Sequence, residues 1–66
     1  MKKLDVGGNI RKIREARRMT QQELADSVGV SKPMICRVER GTKNITVQLA
    51  VQISEVLGCE LEELAR

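Results

Sequence analysis

A chain of 66 residues with 41% hydrophobic residues makes one small domain, near the lower limit for folding without a disulfide or a metal. It contains no histidine and no Phe, Tyr or Trp, and its two cysteines have 22 residues between them. This leaves no metal-ligand spacing, no catalytic residues or cofactor site, and no aromatic platform for single-stranded nucleic acid.

The net charge of +3 is unevenly placed. Residues 1–43 hold eleven Lys/Arg against five Asp/Glu, whereas residues 44–66 hold one Arg against four Glu. Such an asymmetry suggests one face for a polyanion and another kept away from it. The apolar runs are too short to span a membrane. With no secretory segment, Cys36 and Cys59 read as reduced thiols of a cytoplasmic protein, a single disulfide being the alternative.

The first helix is expected over Val6–Arg17, with Val6, Ile10, Ile13 and Arg17 on one face and Asp5 as its N-cap. Gly7 and Gly8 weaken its first turn by about 1 kcal/mol each, which leaves Asn9 as a later start. Thr20-Gln21-Gln22-Glu23 is a capping box that opens the second helix, and Met19 and Leu24 are spaced as a hydrophobic staple across it. That helix ends at Val28-Gly29. Ser31 caps the third helix, Val30 and Ile35 form a second staple, and Pro33 falls in the first turn, where its missing N–H costs nothing. The third helix runs out at Arg40-Gly41. Thr46 caps a fourth, Val47–Leu57, which is apolar over much of its circumference. Glu60–Ala65 makes a short fifth helix with Leu61 and Leu64 expected to face inward.

The segment 21–40 narrows the reading. Two helices joined by so short a turn must cross steeply, which demands a small residue at the crossing, a glycine in the turn and apolar residues to lock the angle. Ala25, Gly29 and the set Leu24, Val28, Val30, Ile35 and Val38 meet those demands. The expected architecture is all-α: a compact five-helix bundle, one domain over residues 1–66, with a helix-turn-helix at 21–40.

Gln21-Gln22-Glu23-Leu24-Ala25, Gly29-Val30-Ser31 and Glu39-Arg40-Gly41 resemble the lambda repressor/Cro-type (XRE) helix-turn-helix family. The resemblance implies that the third helix enters the DNA major groove. Ser31, Lys32, Pro33 and Arg37 match the positions that contact bases, and Arg or Lys there suits guanine O6 and N7. Gln21 matches a phosphate contact at a helix N-terminus, and Arg40, Thr42, Lys43 and Asn44 match a loop used on the backbone. Arg14 and Glu39 match a structural ion pair. The implied function is a sequence-specific regulator of transcription, in the first instance a repressor, binding double-stranded DNA as a homodimer on a palindromic operator. Leu49, Val56, Cys59 and Leu61, with Val51 as a further candidate, are the expected dimer interface. No enzyme activity and no small-molecule ligand is expected. An antitoxin-like module, or another protein-interaction module on the same fold, is the alternative.

Overall fold

The computed structural model describes residues 5–66, so the first four residues of the expected domain lie outside the described part. Five helices follow one another: α1 (Val6–Ala16), α2 (Gln21–Val28), α3 (Lys32–Arg40), α4 (Val47–Leu57) and α5 (Leu61–Leu64). No strand is present among the described residues. Ile10, Leu24, Ala25, Ile35, Val38, Ile53, Leu57 and Leu64 form one core to which every helix contributes.

Local signals start most of the helices. The Asp5 carboxylate accepts from Gly8 N at 2.9 Å, which sets α1 to begin at Val6 rather than after Asn9. At α2, Thr20 Oγ1 accepts from Glu23 N at 3.0 Å and Glu23 Oε1 accepts from Thr20 N at 2.8 Å. Ser31 and Thr46 accept in the same way from Met34 N and Leu49 N. Each such cap is worth about 1 kcal/mol, a large increment for a domain this small. Gly29 closes α2 at φ +74, and Val30 N then bonds Ala25 O at 3.0 Å, turning the chain straight into α3.

Helix α1 ends one residue earlier than the spacing suggested, and without a glycine. Arg18 N bonds Glu15 O at 2.9 Å and Met19 N bonds Arg14 O at 3.1 Å, a Schellman pattern with Arg18 at φ +55 in the place glycine usually holds.

Tertiary contacts alter the reading of three segments. Gly7 is buried, and a Cβ on it would overlap the Val38 carbonyl oxygen and sit 2.9 Å from Glu39 O. Helix α1 therefore lies directly on the C-terminal end of α3, an approach only glycine permits. Leu61 is 42% exposed and does not face inward as expected. Helix α5 is a single turn that meets the core along one line, occupied by Leu64. Asn9 Nδ2 donates to Leu64 O at 2.9 Å and pins that turn to α1. On α4 the core takes Ile53, Ser54 and Leu57, with Leu49 and Val56 packed on its flank, while Val47 and Val51 are open to solvent. Among the described residues no helix is long and apolar enough to cross a membrane.

Candidate nucleic-acid interface

Helix α3 divides its residues cleanly. Ile35, Val38 and Glu39, at i, i+3 and i+4, are buried and fix the helix on the core. Ser31, Lys32, Pro33, Arg37 and Arg40 are exposed, and Pro33 and Arg37 stand one turn apart on the outer face. Since packing locks the inner face, the outer side chains project from a rigid element. Ser31 Oγ accepts the Met34 N–H at 3.2 Å, which leaves its hydroxyl proton free to donate outward. Met34 is half-buried against the core. The sequence left it between core flank and backbone contact, and packing takes it.

Beneath this face lies a buried ionic cluster. Arg14 Nε donates to Glu39 Oε2 at 2.7 Å and Arg14 Nη2 to Glu39 Oε1 at 3.0 Å, between side chains only 8% and 3% exposed. A two-point pair of this kind fixes direction as well as distance. Arg14 Nη1 also donates to Met19 O at 2.7 Å, so one guanidinium ties α1 to the turn before α2 and to α3. Hydrogen bonding to Glu39 outweighs burial and holds Arg14 above the ordinary arginine range. Gln21 Nε2 completes the cluster, donating to Glu39 Oε1 at 3.0 Å. Sequence spacing gave Gln21 no intramolecular role. One amide proton is thereby engaged, and the second stays available beside the first turn of α2.

The loop after α3 is exposed throughout Gly41–Asn44. Thr42 differs from its neighbours there. Its N–H and its hydroxyl both donate to Arg37 O, at 3.0 and 3.2 Å, closing the end of α3. In this arrangement it holds the loop in register. Arg40, Lys43 and Asn44 are open.

Three further side chains escaped the sequence reading. Arg17 is exposed, yet its Nε donates to Leu57 O at 2.9 Å and places a cation at the C-terminal end of α4. Arg18 and Arg11 line the same concavity as Lys32 and Arg40. Both contacts depend on how α1 packs, which no local pattern encodes.

Cys36 and Cys59 are free and half-buried, so the disulfide alternative is not realised in this structure. Burial, followed by the charge of Glu63, pushes the Cys59 thiol above its ordinary range. At the acidic end of the chain, Leu49, Val56 and Cys59 pack against the core while leaving part of each surface open. Among the described residues the large exposed apolar side chains are Val47 at 77%, Leu61 at 42% and Val51 at 38%.

A rigid helix presenting basic and polar side chains, held by a tight glycine turn against a capped second helix, defines a helix-turn-helix DNA-binding domain. The chain belongs to the helix-turn-helix family of transcriptional regulators (HTH_3), whose model matches residues 10–64. An uncharacterized HTH-type transcriptional regulator of Archaeoglobus fulgidus is 40% identical over 55 residues, 83% of this chain and 79% of the relative. The restriction-modification controller protein C.AhdI from Aeromonas hydrophila superimposes with a TM-score of 0.85 at 29% identity, over 89% of this chain and 86% of that one. The P22 c2 repressor protein, in complex with a synthetic operator, gives 0.85 at 28% identity over 92% of both chains.

Proposed function

We propose that this protein is a cytoplasmic repressor that binds a palindromic operator in double-stranded DNA as a homodimer. One observation carries the reading: the solvent face of α3 offers Ser31, Lys32, Pro33 and Arg37 from a helix whose opposite face is fully locked in the core. Arg37 and Lys32 read guanine edges, Ser31 donates from the helix start, and Pro33 packs against a thymine methyl. Gln21, Arg40, Lys43 and Asn44 meet phosphates, and Thr42 keeps their loop in register. The P22 c2 repressor, so similar in fold, is itself seen on an operator, which supports the same use here.

A single recognition helix spans too few base pairs to find one site in a genome, so a two-fold pair is required. Val47, Val51 and Leu61, flanked by Leu49, Val56 and Cys59, supply apolar surface on the end of the chain that carries little positive charge. Pairing there leaves both α3 helices free to face one side of the duplex.

Footprinting on the DNA upstream of the protein's own gene, followed by titration of two variants, tests the reading. Arg37→Ala loses about 1–3 kcal/mol on the operator and relaxes one base position, whereas Lys43→Ala weakens operator and random DNA alike. Equal losses by both variants on both DNAs would overturn the division of labour, and no protection of any duplex would overturn the function.

A further inference from the structure

We propose that Arg11 and Arg18 form a second line of contacts to the DNA backbone, extending the binding surface across α1 and the α1–α2 turn. The inference rests on the duplex-binding reading above and concerns residues that reading does not use. Two independent observations carry it.

The first is a concavity of about 800 Å³ that opens between α1, the start of α2 and α3. Arg11 of α1 and Arg18 of the α1–α2 turn wall it on one side, Lys32 and Arg40 of α3 on another, and Gln21 lines it with them. Arg14 and Glu39 also reach it but neutralise one another, which leaves four cations against Glu15. Arg11 meets Glu15 only at 3.5 Å, between side chains 64% and 56% exposed, a contact that water and salt largely screen. Thr20, Gln21 and Gln22 bring the first turn of α2 to the same hollow, where amides at a helix start add partial positive charge. A concave wall of one sign concentrates field and favours a string of phosphates over a single small ion.

The second is the backbone of Arg18. Its φ of +55 is one glycine adopts freely and an L side chain adopts at a cost. Nothing in the fold accounts for a long side chain there: Arg18 is exposed, and among the described residues it makes no ion pair or side-chain hydrogen bond. Strained backbone of this sort clusters at sites of function, and here it singles out the Arg18 side chain. Arg18 stands on the rim of the basic hollow, facing the phosphates of a duplex whose groove holds α3.

Stability and binding move in opposite directions in one variant. Arg18→Gly relieves the backbone and removes the contact, so its melting point rises by about 2–6 °C. On random-sequence duplex at about 0.1 M salt it binds roughly three- to ten-fold more weakly, and its log–log salt slope flattens by about 0.9. Arg11→Ala flattens the slope similarly without the rise in melting point, and Arg18→Lys restores the slope of the wild type. A wild type that binds duplex, with Arg37→Ala losing operator preference but Arg11→Ala and Arg18→Gly keeping wild-type slopes, overturns this inference alone. A wild type that binds no duplex overturns the DNA-binding reading and this inference with it.

Discussion

Gly7→Ala sets two physical effects against each other. As a change within the first turn of α1 it removes the glycine penalty and stabilises by at most about 0.8–1.0 kcal/mol. In the folded protein, however, the new methyl group overlaps the Val38 carbonyl oxygen and meets Glu39 O at 2.9 Å. Carbon and oxygen need about 3.5 Å to sit without repulsion, so α1 must move off α3 by on the order of 1 Å. Both clashing atoms are helical backbone, which yields far less than a side chain. The cost belongs to the upper part of the overpacking range, about 2–3 kcal/mol. Net destabilisation is then about 1–2 kcal/mol, which lowers the melting point by roughly 5–15 °C for a domain of this size. Gly8→Ala is the control: the three atoms nearest its Cβ all belong to the Asp5 carboxylate, a side chain that can swing away. Losing that cap costs about 1 kcal/mol and the gain in helix propensity offsets it, so the change is close to neutral. Thermal unfolding by circular dichroism measures both. Should Gly7→Ala melt at or above the wild-type temperature, the close approach of α1 to α3 would be refuted.

Two other outcomes follow from the buried cluster and the apolar end. Arg14→Ala strands the Glu39 carboxylate in the core and costs about 3–5 kcal/mol, enough to unfold much of the population at 37 °C; an unchanged melting temperature with lost DNA binding would show instead that Arg14 is a DNA ligand. Val51→Glu places a charge on exposed surface and abolishes dimerisation in sedimentation without lowering monomer stability, whereas Val56→Glu also destabilises the fold because Val56 packs on the core; a dimer unaffected by Val51→Glu puts the interface elsewhere.

Local chemistry made much of this protein legible from its residues alone. The capping box at Thr20–Glu23, the caps at Ser31 and Thr46 and the glycine at position 29 act within four residues of themselves, so the sequence states them directly. Apolar spacing likewise marked Leu24, Ile35 and Val38 as the lock between α2 and α3, whereas α4 was apolar over too much of its circumference to show that Ile53 and Leu57 face the core. The exposed face of α3 was legible as the side opposite its buried stripe; that Ser31, Lys32, Pro33 and Arg37 on it would meet bases came only from the family resemblance.

What the sequence could not decide lies wherever two distant segments meet. Gly7 reads as a weak point of α1 until α3 is laid against it. Gln21 reads as a free polar side chain until Glu39 arrives from 18 residues away. Arg17 and Asn9 hold the carbonyls of Leu57 and Leu64, and Leu61 turns outward because α5 presents only one line to the core. Arg11 and Arg18 join Lys32 and Arg40 only because α1 packs beside α3. A helical pattern specifies which side of each element is apolar. How the polar sides face one another depends on crossing geometry, and that is set by the packing of the core as a whole.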